Sequence, residues 1–101
     1  MTPFYPTQAG KSQAFERAIE ALRKHDWKAA HVIAQAYEND PVGDHLHALV
    51  HRIEGDLANA RYWYNKARER FEPAASVEAE LQRIETKLAT MPPSDEIPRP
   101  T

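Results

Sequence analysis

The sequence predicts an all-α protein of about five helices: two antiparallel helical hairpins followed by a C-terminal capping helix. Three observations support this fold class. Apolar residues recur every three or four positions through most of the chain, which is typical of helices buried on one face. No run of β-branched residues alternates with polar residues between turn signals, so strands are not indicated. Prolines cluster near both ends, and only Pro41 and Pro73 lie between residues 7 and 91, where each is suited to open a helix.

The first two helices are predicted over residues 12–24 and 27–38. Ser12 and Asp26 are residue types that cap helix N-termini. The stretch "KHDW" separates the two helices, and "ENDP" ends the second. Helical spacing turns these residues inward: Phe15, Ala18, Ile19 and Leu22 in the first helix, and Trp27, Ala30, Ile33, Ala34 and Tyr37 in the second.

The second hairpin is predicted over residues 42–54 and 57–71. Asp40 and Pro41 start its first helix, Gly55 ends that helix, and Asp56 caps the next one. Pro73 opens a fifth helix, which we expect to cover the second hairpin. The predicted inward residues are Leu46, Leu49, Val50 and Ile53, then Leu57, Ala60, Tyr64, Ala67 and Phe71, then Val77, Leu81, Ile84, Leu88 and Met91.

Composition and length indicate one domain, residues 12–91, between an extended segment of residues 1–11 and a proline-rich flexible tail of residues 92–101. The chain has no cysteine, which excludes disulfides and thiolate chemistry. Fifteen acidic residues against thirteen basic ones give no basic excess of the kind that nucleic-acid or membrane binding uses. No apolar run reaches the length of a signal peptide or a spanning helix, so we expect a soluble cytoplasmic protein.

An internal repeat relates the two hairpins. "HDWKAAHVIAQAY" and "GDLANARYWYNKA" align at an offset of 30 residues, with Asp26 matching Asp56 and Ala30 matching Ala60. Over residues 12–73 this pattern resembles the tetratricopeptide repeat, whose members bind peptides in a groove. The resemblance implies a stack of helical hairpins and a protein or peptide partner. In the second unit, positions that the family fills with large apolar residues fall on Asp44, His47 and His51.

A more specific resemblance covers about a fifth of the chain. The segment "HALVHRIEGDLANARYWYNKA" resembles a His-Ala-x-x-His-Arg-x-Glu-x-Asp-x-x-Asn-x-x-Tyr-Trp-aromatic pattern of uncharacterised bacterial and fungal proteins. The matched residues are His47, His51, Arg52, Glu54, Asp56, Asn59, Tyr62 and Trp63. This resemblance implies a location for function and no particular chemistry.

A polar stripe runs along the third predicted helix. Asp44, His47, His51 and Glu54 follow at spacings of three, four and three, which places them on one side of the helix. His47 and His51 are suited to bind one metal ion, with Glu54 or Asp44 completing a nitrogen and oxygen set for Zn, Fe or Mn. "HALVH" has Ala48 where the zinc-protease motif needs glutamate, which excludes that enzyme class.

Three interpretations of this stripe remain open: a polar contact between helices, a groove for a ligand or partner, and a metal or catalytic site. A carboxylate beside His47 or His51 is expected to raise the pKa of that histidine. His45 and Arg52 lie on the opposite flank of the same helix.

The residues of the following helix divide by their position on the helical wheel. Tyr64 and Trp63 are expected in the core, and Tyr62 points outward, where it is either solvated or an interface contact. Asp56 is the expected N-cap. Asn59 is placed to bond back to the turn or across to His51 or Arg52.

The favoured function is a non-enzymatic protein–protein interaction module, a monomer or weak homodimer that binds a protein or peptide. The alternative is a small metal- or ligand-binding protein, with or without enzymatic activity, that holds Zn or another divalent metal at His47, His51 and Glu54. No catalytic residue is assigned. The candidate binding residues are Asp44, His47, His51, Arg52, Glu54, Asn59 and Tyr62.

Overall fold

The computed structural model describes residues 8–90, which form five α-helices and contain no strand. The helices are α1 (Gln8–Arg23), α2 (Trp27–Ala36), α3 (Pro41–Glu54), α4 (Leu57–Ala67) and α5 (Val77–Thr90). The all-α prediction with about five helices is confirmed. None of these helices combines the length and the apolar character that crossing a membrane requires.

Three aspartates start helices as predicted. The side chains of Asp26 and Asp56 accept hydrogen bonds from the backbone N–H of Ala29 and Asn59, and Asp40 accepts from two N–H groups at the start of α3. Gly55 ends α3 in the left-handed conformation with φ 85°. The short α3–α4 turn that results makes these two helices antiparallel neighbours.

Three helix boundaries differ from the prediction by more than two residues. The first helix begins at Gln8, so Ser12 lies inside α1 and is not its N-cap, because Gln8, Ala9 and Lys11 are good helix formers. At the other end of the second hairpin, α4 stops at Ala67, since Arg68 adopts a left-handed conformation with φ 60°.

The fifth helix starts at Val77 rather than near Pro73. Pro73 lies in the loop before it, and the Ser76 hydroxyl oxygen accepts from the Ala79 N–H at 3.0 Å. Met91 and the predicted tail, residues 92–101, lie outside the described residues, as do residues 1–7 of the predicted extended segment.

The third helix is the centre of the fold. It packs against each of the other four helices, and residues 42–50 are all buried. The larger apolar cluster joins α1, α2, α3 and α5; a smaller one, built on Ala48, Ala60 and Tyr64, joins α3 to α4. A helix buried all round must place its polar side chains inside the protein, so the polar residues of α3 need partners on neighbouring helices.

The fifth helix packs against α1 and α3, the first helix of each hairpin. It therefore contacts the second hairpin, as predicted, and the first hairpin as well. Arg23 on α1 holds it from outside, with guanidinium nitrogens 2.7 Å from carboxylate oxygens of both Glu78 and Glu85.

Two predicted inward residues face solvent. Ile53 is 38% exposed and Leu57 is 46% exposed. Both flank the turn between α3 and α4, and Ile53 lines a surface cavity with Leu22, Trp27 and Val77.

A close contact between backbones sets the position of α3 against α2. A Cβ added at Gly43 would lie 2.4 Å from the carbonyl oxygen of Tyr37. Only glycine allows this approach. The contact brings the histidines of α2 and α3 to the same side of the hairpin.

Candidate functional site

Three histidines converge between α2, α3 and α4. One ring nitrogen from each of His31, His47 and His51 lies within 4.8 Å of the others. His47 is buried, at 6% exposure, and the other two are half-buried. His31 Nε2 lies 3.0 Å from His47 Nε2, a distance at which one ring donates a hydrogen bond to the other. We call these three residues the histidine cluster.

An aromatic side chain of α4 closes one side of the histidine cluster. The Trp63 ring stacks on His47 with centroids 3.9 Å apart. Tyr62 meets the edge of Trp63 and is itself 55% exposed, as its predicted outward position requires. The Lys66 ammonium lies 4.9 Å from the Trp63 centroid. Trp63 is half-buried, so it forms a wall of the cluster rather than the centre of the core.

Burial favours the neutral form of two of the three rings. Burial, together with the nearby His31 and His51 rings, lowers the pKa of His47 to about 4. Burial and His51 also lower the pKa of His31. The predicted rise in pKa required a carboxylate beside the ring, and no carboxylate among the described residues forms an ion pair with His47. Neutral imidazole is the form that binds metal ions.

Acidic side chains lie on the outer side of His51. Its Nδ1 is 3.3 Å from Glu54 Oε1 and 3.8 Å from Asp56 Oδ2. Neither contact has hydrogen-bond geometry, so this buried nitrogen has no hydrogen-bond partner among the described residues. Asn59 donates from Nδ2 to Asp56 at 2.6 Å, and this bond lowers the pKa of Asp56. The prediction that Asn59 bonds back to the turn is confirmed.

Asp44 does not join the histidines, although it shares their side of α3. It is buried one turn earlier and accepts a hydrogen bond from the Asn39 N–H at 3.1 Å. Burial raises its pKa. Asp44 therefore closes the α2–α3 loop. It does not lie beside the histidines with which it was predicted to form a site.

The sequence prediction did not include His31, because this residue lies on α2 whereas the predicted ligand pair lies on α3. The available signal was its place on the second predicted helix beside the inward-facing Ala30. An antiparallel hairpin brings such a residue opposite the polar stripe of the next helix. Spacing along one helix cannot reveal a cluster shared by two.

A second polar cluster lies on the opposite flank of α3. Glu80 of α5 is 1% exposed and accepts hydrogen bonds from the Tyr64 hydroxyl at 2.7 Å and from His45 Nε2 at 3.0 Å. Arg52 donates to the same carboxylate and to the carbonyl oxygens of Pro73 and Ala75. Arg52 thus belongs to this internal cluster and not to the predicted binding surface.

The Glu80 cluster is electrically balanced. Burial by itself raises the pKa of Glu80, but hydrogen bonds from His45 and Tyr64 and the charge of Arg52 outweigh burial and leave the pKa below its ordinary value. Lys87 lies 3.3 Å from the other nitrogen of His45 and 2.6 Å from Glu69. With its acceptors occupied by protein donors, this cluster stabilises the packing of α5 rather than offering a site.

Glu80 could have been found in the sequence. Val77, Glu80, Leu81 and Ile84 follow at spacings of three, one and three, which puts this glutamate on the apolar face of its helix. A carboxylate there needs a buried cation, and Arg52 was available on the flank of α3 opposite the histidines.

The histidine cluster is therefore the candidate site. It contains His47 and His51 as predicted, adds His31, and places Glu54, Asp56 and Asn59 around one edge. Neither protein-family models, nor curated proteins, nor solved structures give a match to this chain.

Proposed function

We propose that the chain binds a divalent transition-metal ion, with Zn²⁺ the best fit, through His31, His47 and His51. The observation that carries the proposal is the convergence of three imidazole nitrogens, from two helices, within 4.8 Å. Two nitrogen ligands of a tetrahedral zinc ion, each about 2.0–2.1 Å from the metal, lie about 3.3 Å apart. The 3.0 Å separation of the His31 and His47 nitrogens is close to that value.

The donor set selects the class of metal. Three imidazoles suit zinc, copper, cobalt and nickel, whereas magnesium and calcium prefer oxygen ligands. The low pKa of His47 supports the proposal, because metal does not have to displace a proton from this ring at neutral pH. Three protein ligands leave a fourth position for water or another molecule.

The competing explanation is a purely structural contact between helices. The His31–His47 hydrogen bond accounts for two of the three rings without a metal. It does not account for His51, which also places a ring nitrogen within 4.8 Å of those of His31 and His47. Metal binding gives a reason for the third ring.

The test uses untagged protein stripped with EDTA and titrated with Zn²⁺ by calorimetry and with Co²⁺ by visible absorption. We expect one ion per chain and the absorption of tetrahedral cobalt. His31→Ala and His47→Ala should each abolish binding, whereas His25→Asn, which removes an exposed histidine outside the cluster, should not. No binding at millimolar metal, or full binding by His31→Ala, would refute the proposal; circular dichroism verifies that each variant folds.

The interaction-module prediction keeps one supporting observation. Tyr62, the outward residue of α4, is 55% exposed and rests on the edge of Trp63. Exposed tyrosines are frequent anchors in interfaces. Affinity capture of partners by wild-type protein, lost with Tyr62→Ala and kept with His47→Ala, would support this second function independently of metal.

A further inference from the structure

The strongest unexplained feature of the histidine cluster is the outer edge of His51. Its buried Nδ1 has carboxylate oxygens of Glu54 and Asp56 at 3.3 and 3.8 Å, from two different segments. Glu54 is the last residue of α3, and Asp56 caps α4. Two acidic groups thus face one imidazole nitrogen from beyond the cluster.

The ring orientation shows which nitrogen remains for a metal. His47 and His51 stack nearly parallel, with 16° between their planes and centroids 5.0 Å apart. His47 points its Nε2 at His31. In His51 the carboxylates of Glu54 and Asp56 lie beside Nδ1, which leaves Nε2 as the nitrogen available to a metal.

We infer that Glu54 and Asp56 are positioning residues that hold the Nδ1–H tautomer of His51 and so direct its Nε2 to the metal. This inference rests on the proposed metal binding. A carboxylate that accepts the outer N–H of a ligating histidine fixes the tautomer and the ring orientation, and its loss commonly lowers metal affinity 10- to 100-fold.

Local contacts hold the carboxylates in place. Asn59 donates to Asp56 from its side chain at 2.6 Å, and the Asn59 backbone N–H also points to this carboxylate. Glu54 lies one turn after His51 on the same helix, where side chains are neighbours. These residues therefore form one unit. His51 is the metal ligand, Glu54 and Asp56 are the carboxylates beside it, and Asn59 holds Asp56 in position. That unit accounts for the spacing of the second half of the segment "HALVHRIEGDLAN".

The experiment compares Zn²⁺ affinity in wild type, Glu54→Ala and Glu54→Gln. Asp56 is not changed first, because it also caps α4. We expect a 10- to 100-fold loss for Glu54→Ala and a smaller loss for Glu54→Gln, which keeps an acceptor oxygen beside Nδ1 but loses the negative charge. The matched control is Glu20→Ala, an exposed glutamate on α1, with unchanged affinity.

Nitrogen-15 NMR of the zinc-loaded protein reports which ring nitrogen of His51 carries the proton and which carries the metal. A purely structural role of Glu54 would leave that pattern unchanged. We expect His51 with a proton on Nδ1 and metal on Nε2, and a loss of that pattern in Glu54→Ala. Metal on Nδ1 of His51, or wild-type affinity in both Glu54 variants, overturns this inference alone. Absence of zinc binding by the wild type refutes the proposed function and this inference with it.

Discussion

Acid should destabilise the metal-free protein through His47, well above the pH at which carboxylates protonate. In the folded state the pKa of His47 is lowered from 6.5 to about 4, so between those values the unfolded chain binds a proton that the folded chain rejects. The contribution of His47 to the free energy of unfolding is therefore fully present above pH 6.5 and is lost as the pH falls toward 4.

The size of the effect follows from the shift in pKa. At about 1.4 kcal/mol per pH unit, lowering the pH from 7.5 to 4.5 costs about 2–3 kcal/mol from this one ring. His31, whose pKa is also lowered, adds to the loss. For a domain of this size, about 2 kcal/mol corresponds to a fall in melting temperature of roughly 10 °C.

The assay is urea unfolding in EDTA at pH 7.5 and 4.5, for wild type and His47→Phe. Phenylalanine keeps a flat ring against Trp63 and does not titrate. The loss of stability in acid should shrink by about 2–3 kcal/mol in this variant. Glu80 and Glu69, whose pKa values are lowered, lose their contribution only below pH 4.5, and Asp44, whose pKa is raised, acts in the opposite sense in both proteins.

The comparison between variants isolates His47 from those groups. His25→Asn controls for the loss of a histidine as such and should follow the wild type. Equal losses of stability in wild type and His47→Phe between pH 7.5 and 4.5 would refute the reasoning.

Further variants test the contacts that build the fold, each by urea unfolding at pH 7. Glu80→Ala should cost about 3–5 kcal/mol, because it removes the buried acceptor shared by Arg52, His45 and Tyr64, and a cost below 1 kcal/mol would contradict the buried network. Tyr64→Phe removes one hydrogen bond to Glu80 and should cost about 1–2 kcal/mol; an unchanged midpoint would show that the bond contributes nothing. Gly43→Ala should cost about 1–3 kcal/mol, since its Cβ would meet the α2 backbone, and a neutral result would mean that α2 and α3 separate freely.

The fold was predictable because its signals are local. Capping aspartates, Gly55 and the spacing of apolar residues act within a few positions of the chain, and the helices they predict are present. The errors arose where tertiary position decides. Arg68 takes a left-handed conformation that ends α4, so Phe71 stacks on Tyr64, with ring centroids 5.0 Å apart, from the following loop and not from a further turn of the helix.

The site was half predictable for the same reason. His47 and His51 share one helix, so their spacing alone placed them together. His31 belongs to α2, and its approach depends on how closely α2 and α3 pack at Gly43. Asp44 has the spacing of a cluster member, yet its carboxylate accepts a hydrogen bond from the backbone N–H of Asn39 in the loop before α3.

The central helix explains why one short segment holds two chemistries. Because α3 is buried all round, its polar residues must be satisfied on separate flanks, and side chains two positions apart, such as His45 and His47, point in nearly opposite directions. One flank carries His45 and Arg52, which both donate hydrogen bonds to the buried carboxylate of Glu80. The other carries His47 and His51, meets another histidine and a tryptophan, and keeps buried ring nitrogens without hydrogen-bond partners among residues 8–90. We assign metal binding to the flank on which three imidazoles converge, whereas the flank with matched charges holds α5 in place.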